Sequence, residues 1–121
     1  NIGLQKIEGL AFCACSSLES ITLPSTVVEI GSYAFDGCSY LREIALNIGL
    51  QKIEGLAFCA CSSLESITLP STLDEIGENA FNRCCNLREV MFNDGLQKIG
   101  VGAFFRCTSL KSIALPSTVV E

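Results

Sequence analysis

Leu18–Leu41 reads LESITLPSTVVEIGSYAFDGCSYL, and the rest of the chain is this unit repeated with a shift of 23 residues. Phe12, Phe35, Phe58, Phe81 and Phe104 keep that spacing without exception. So do Cys15, Cys38, Cys61, Cys84 and Cys107. The isoleucines at 7, 30, 53, 76 and 99 form another such column, and the leucines at 18, 41, 64, 87 and 110 a further one. Ala34 and its equivalents, the Ile21 and Leu23 positions, and a branched aliphatic position at Val27 complete eight apolar columns. A unit this short cannot bury its own apolar side, so like positions must stack between successive coils. At the ~4.8 Å spacing of neighbouring strands, each column becomes a ladder within one continuous core.

Inside the unit, Ile21 and Leu23 alternate with Ser20 and Thr22, which predicts a short strand with one buried face. Pro24 ends its ladder, because proline has no N–H to donate. Val27 and Ile30 point inward again, from a second short extended piece. Ala34, Cys38 and Leu41 stand at i, i+4 and i+7, which suits one or two turns of α- or 3₁₀-helix packed on the sheet. The expected fold is an α/β leucine-rich repeat solenoid, right-handed, with a parallel sheet on one face and short helical turns opposite.

The string L-x-x-I-x-L-P-x-x-V-x-x-I-G-x-x-A-F-x-x-C-x-x-L is carried by Leu18, Ile21, Leu23, Pro24, Val27, Ile30, Gly31, Ala34, Phe35, Cys38 and Leu41. It resembles the BspA-type (Treponema pallidum-type) leucine-rich repeat, and the resemblance covers the whole chain. That resemblance implies a surface or secreted protein engaged in adhesion and protein–protein contact. Two departures bear on turn geometry. Asn47 and Asn93 open Asn-x-Gly turns where the family usually has Pro, and Glu8 and Glu54 replace the Gly that follows Ile.

Residues 1–121 are expected to form one array segment of about five units, an uncapped excerpt of a longer protein, because neither end shows a polar capping unit. Apolar residues make up 49% of the chain and charged residues 17%, as a solenoid with many inward columns requires. No run approaches the ~18 apolar residues of a spanning helix, so direct membrane insertion is not expected. The net charge of −5 argues against nucleic acid, which favours a basic face.

A longer period overlies the first: residues 1–26 and 47–72 are identical. Units opening with Asn-x-Gly therefore alternate with units opening with Pro-Ser-Thr. One charge column runs Lys6, Glu29, Lys52, Glu75, Lys98, Glu121, and a second runs Glu19, Arg42, Glu65, Arg88, Lys111. Stacked opposite charges contribute only ~0–1 kcal/mol each when exposed, so these columns read as a solvated face that keeps the stack neutral.

The eight cysteines come with no histidine and no Cys-x-x-Cys spacing, which removes the common zinc patterns. Five of them join the inward columns as small buried hydrophobes, with free thiols expected rather than disulfides. Cys13, Cys59 and Cys85 stand outside that column. The Phe column reads as core rather than as a stacking platform for sugars or bases. Without histidine there is no Ser–His or Cys–His pair, and no phosphate-binding Gly-rich loop occurs, so neither an enzyme nor a cofactor is expected. Paired carboxylates such as Glu19 with Glu43 are possible in space, but nothing in the sequence places them in a cleft.

The outward strand positions remain as the candidate binding face: Ser20, Thr22, Glu43, Ala45, Ser66, Thr68, Glu89, Met91, Ser112 and Ala114. They are small, so the face is flat, and flat repeat faces serve as extended docking surfaces for protein partners. Two functional readings follow, an interaction module using this face and a passive spacer with no specific ligand. The thiol content suits a reducing compartment, whereas the resemblance points to the cell surface.

Overall fold

The computed structural model describes residues 6, 7, 9, 12–15 and 17–110. Among these residues nine short strands alternate between two lengths: β1 Lys6–Ile7, β2 Ser20–Thr22, β3 Glu29–Ile30, β4 Glu43–Ala45, β5 Lys52–Ile53, β6 Ser66–Thr68, β7 Glu75–Ile76, β8 Glu89–Met91 and β9 Lys98–Ile99. The longer strands are the predicted alternating stretch, and the two-residue strands are the second extended piece around Ile30. Each strand pairs in parallel with its equivalent one coil away, as Ile7 with Ile30, Ile30 with Ile53 and Ile53 with Ile76. The two-residue strands make one five-stranded sheet, β1-β3-β5-β7-β9. The three-residue strands form two separate pairs, β2-β4 and β6-β8. The parallel ladder thus occupies two sides of the coil, where one was expected.

The expected helical turns are absent: among the described residues there is no helix, and the fold is a β-solenoid. In the stretch expected to be helical, N–H groups alternate between two kinds of acceptor. Ala34, Asp36 and Cys38 close tight turns onto Gly31, Tyr33 and Phe35, at 3.2, 3.1 and 3.2 Å. Phe35 and Gly37 instead donate to Ala57 and Cys59 of the next coil, at 2.7 and 2.9 Å. An α-helix would spend every donor within its own turn and leave no rung to the neighbour. The alternation requires two left-handed residues per coil, four positions apart. These are Tyr33 and Gly37, then Leu56 and Ala60, Asn79 and Arg83, Gly102 and Arg106, with φ between 57° and 75°. For non-glycine residues each costs about 1–2 kcal/mol locally, which the inter-coil bonds offset.

The core is the predicted set of ladders. The Phe rings stack face to face along the whole array, with centroids 5.1 Å apart for Phe12–Phe35 and Phe35–Phe58. Phe58–Phe81 and Phe81–Phe104 follow at 5.2 and 5.3 Å. Phe35, Phe58 and Phe81 are fully buried, together with Ile30, Ile53 and Ile76. Phe92, which replaces the usual leucine of its column, meets Phe104 edge-on at 5.9 Å.

In the cysteine column Cys38, Cys61, Cys84 and Cys107 are buried and Cys15 is half-buried, and all five are free of disulfides. Each of the four buried thiols donates to a phenylalanine carbonyl of the preceding coil, Cys38 to Phe12 at 3.0 Å and Cys61 to Phe35 at 3.2 Å. Cys84 to Phe58 and Cys107 to Phe81 repeat the contact at 3.1 Å. A small residue with one weak donor fits this position, because the site is apolar apart from that carbonyl. Burial pushes the Cys38 thiol above its usual value of 9.0. It pushes Cys107 up to about 12. Cys84 is raised as well, by its hydrogen bond with Cys61 and then by burial.

The departures from the repeat string prove to be alternative solutions to shared problems. Asn47 donates its amide to the Val27 carbonyl at 2.7 Å, and Asn93 does the same to Leu73 at 2.8 Å. In the intervening Pro-Ser-Thr unit, the Thr72 hydroxyl reaches the equivalent Leu50 carbonyl at 2.8 Å and accepts the Gly49 N–H at 2.8 Å. One column of buried carbonyls is therefore served by Asn and Thr in turn. At the position after Ile, Gly77 lies so close to the preceding coil that a Cβ would meet Gly55 N at 2.5 Å. Glu54 fits the same column, and its carboxylate takes the Ser32 hydroxyl at 3.3 Å and Lys6 at 3.6 Å.

Candidate functional site

The alternation of side chains along a strand decides what the candidate face presents. In β4 and β6, Ile44 and Ile67 turn into the core while their neighbours turn outward. The eight candidate residues within the described part, Ser20, Thr22, Glu43, Ala45, Ser66, Thr68, Glu89 and Met91, are all exposed. Ser112 and Ala114 lie outside the described residues. Parallel register sets Ser20 opposite Glu43 and Thr22 opposite Ala45, then Ser66 opposite Glu89 and Thr68 opposite Met91. The Thr68 hydroxyl reaches the Met91 sulfur at 3.7 Å.

This face carries a seam. Within each strand pair, the Leu23 N–H donates to Ala45 and the Leu69 N–H to Met91, both at 3.0 Å. Among the described residues no equivalent bond runs from Leu46 to Thr68, and β4 and β6 lie side by side unpaired. Side chains follow the same division. Arg42 reaches back to Glu19 at 3.1 Å and Arg88 to Glu65 at 2.9 Å. No ion pair joins Arg42 to Glu65 among the described residues.

A groove of about 570 Å³ lies over this region, and six candidate residues line it: Ser20, Thr22, Glu43, Ala45, Ser66 and Thr68. Leu46, Ile48 and Pro70 supply an apolar end. Ile48 is 71% exposed, an apolar side chain standing in solvent. Sequence reasoning misses it, because the Asn-Ile-Gly turn departs from the repeat string and no column reports which way its central side chain faces. A second depression of about 330 Å³ adjoins the first, lined by Glu19, Ser20, Arg42, Glu43, Glu65 and Ser66. It brings Glu19 and Glu43 into one depression, which the sequence alone does not indicate, and Glu19 is neutralised there by Arg42.

The three cysteines outside the inward column do not assemble into a site. Cys13 and Cys59 are half-buried and Cys85 is exposed. Burial, with the Asp36 charge beside it, raises the Cys59 thiol above 9.0, opposite to what a reactive thiolate needs. Among the described residues no three His, Cys, Asp or Glu side chains cluster as metal ligands would, and no helix is long and apolar enough to cross a membrane.

A solenoid of parallel strand ladders with an exposed strand face and a repeated aliphatic interior defines the leucine-rich repeat class. The chain belongs to the family described as the BspA type leucine rich repeat region, which matches residues 5–121 in six copies. The leucine-rich repeat protein of T. pallidum superposes with a TM-score of 0.92 at 41% identity, over 93% of this chain and 53% of that one. A leucine-rich repeat protein from Bacteroides ovatus gives a TM-score of 0.71 at 32% identity, over 96% of this chain and 36% of that one. The pneumococcal vaccine antigen PcpA gives 0.63 at 25% identity, over 96% and 44%. The chain thus spans about half or less of these relatives. No curated protein matches it.

Proposed function

We propose that the chain is a segment of a longer leucine-rich repeat array that binds a protein partner on the β2–β8 strand face, as part of an adhesive or ligand-binding protein at the cell surface. The observation that carries this reading is the groove across β2, β4 and β6, which six outward strand residues line together. Membership of a repeat family whose coils present extended docking faces supports it. Among the described residues no large aromatic or arginine anchor stands on the face, so one segment binds weakly and repetition along an array raises the avidity.

A random library of twelve-residue peptides displayed on phage, selected against the chain, tests the reading. Thr68→Arg, in the groove, with Met91→Arg beside it is expected to weaken binding of selected peptides at least roughly tenfold, through lost complementarity along the face. Undiminished binding would contradict the strand face as the site. The competing reading is a passive spacer. It is favoured by the identity of residues 1–26 and 47–72, which repeats Ser20 and Thr22 as Ser66 and Thr68 without diversification. A spacer yields no reproducible binder in the same selection.

A further inference from the structure

Resting on that reading of the strand face, we infer that its occupant is an extended peptide segment lying along β4 and β6, carrying a Lys or Arg two residues from an aliphatic side chain. The charge arrangement supplies the first half of the argument. The two arginines at the edge of the face are engaged, Arg42 with Glu19 and Arg88 with Glu65. Among the described residues Glu43 and Glu89 have no such partner, although both are exposed on the face. The register neighbours of these carboxylates are Ser20 and Ser66, too short to cover them. The smaller depression therefore brings together three carboxylates, Glu19, Glu43 and Glu65, and one guanidinium, Arg42. Arg42 meets Glu19 and Arg88, from outside the depression, meets Glu65, so Glu43 is left as its one uncompensated charge, and one cationic side chain entering beside it would balance that charge.

The shape supplies the second half. The smaller depression and the larger groove share Ser20, Glu43 and Ser66, so an occupant can pass from one to the other. Beyond Glu43 the groove becomes apolar, with Ala45, Ile48 and Pro70. Glu43 and Ala45 are two residues apart on one strand, about 6.6 Å, which is the side-chain repeat of any extended chain. A peptide in that conformation can place a basic group at Glu43 and an aliphatic group at Ala45 and Ile48. An acidic segment would set like charges beside Glu43 and Glu89. Complementarity of this kind governs encounter rate and choice of partner more than raw affinity.

The displayed twelve-residue library again provides the probe, now read for composition. Selected peptides are expected to be enriched in Lys or Arg two positions from Leu, Ile or Val. Resynthesised binders are expected to lose affinity about three- to fivefold with Glu43→Gln, the scale of one exposed ion pair. Glu43→Lys is expected to weaken them further, and added salt to weaken the unmodified chain. Glu43 is exposed and outside the core, so an unchanged melting temperature confirms that each variant is folded. Enrichment of acidic or neutral peptides, or undiminished binding to Glu43→Lys, overturns the basic-segment proposal. If Thr68→Arg with Met91→Arg then still abolishes binding, the strand face stands and only its occupant was misjudged. If those variants also bind normally, the face itself is wrong. A library that yields no binder overturns both and favours the spacer.

Discussion

The sheet of β1, β3, β5, β7 and β9 runs unbroken through five coils, whereas the three-residue strands stop at a seam between β4 and β6. Both ladders come from one repeat, so the difference lies in which period each obeys. The continuous sheet turns an isoleucine inward in every coil, and its outward column alternates Lys6, Glu29, Lys52, Glu75, Lys98 in register. The interrupted face follows the two-unit period: each arginine reaches back one coil to a glutamate and none reaches forward across the seam. The single-unit period builds the interior and holds the stack. The two-unit period divides the surface and positions the groove.

The largest way to break this comparison is to remove a rung that both sides share. Phe58 is fully buried between Phe35 and Phe81. Phe58→Ala is expected to cost about 3–5 kcal/mol in denaturant titration, as a cavity in the middle of a stack that cannot collapse around it. A loss below ~1 kcal/mol would mean that Phe58 is not a core rung.

A smaller effect sharpens the comparison between unit types. Asn47→Ala and Thr72→Val each leave a carbonyl of a fully buried residue, Val27 or Leu50, without its side-chain donor. Each is expected to cost about 1–3 kcal/mol, the penalty for an unsatisfied buried acceptor. Similar losses from two chemically different residues would establish them as equivalent hooks. A loss at only one would show that the two unit types are held together differently.

The smallest effect at neutral pH concerns the thiol column. Burial holds Cys107 near 12 in the folded chain, against 9.0 for an ordinary thiol, and Cys38 and Cys84 shift in the same direction. Above pH 9.0 the unfolded chain loses these protons while the folded chain keeps them. Stability is therefore fully present below pH 9.0 and falls as the pH rises from there toward about 12. Unfolding midpoints measured on either side of pH 9.0 check the sign, and a flat profile would place the column in contact with water.

The columns were legible because stacking demands one residue type at one spacing. The Phe rings, the inward isoleucines and the exposed Ser20, Glu43 and Thr68 positions stand where the alternation puts them. The turns were not legible. Ala34, Cys38 and Leu41 fit a helix by spacing, but Tyr33 and Leu56 adopt left-handed backbone that bulky residues rarely enter. Only inter-coil hydrogen bonds make that conformation worthwhile, and no local preference reports them. The seam was hidden for a related reason. Arginine and glutamate alternate evenly along the sequence, and only the direction in which the side chains reach separates one junction from the next.

Amide hydrogen exchange at single-residue resolution tests the two-unit division most directly. Leu23 and Leu69 donate across their junctions, and Leu46, at the equivalent position, faces the seam. The account predicts slow exchange at Leu23 and Leu69 with fast exchange at Leu46. Protection of Leu46 as strong as that of Leu69 would mean that the face is one unbroken sheet and that no seam underlies the groove.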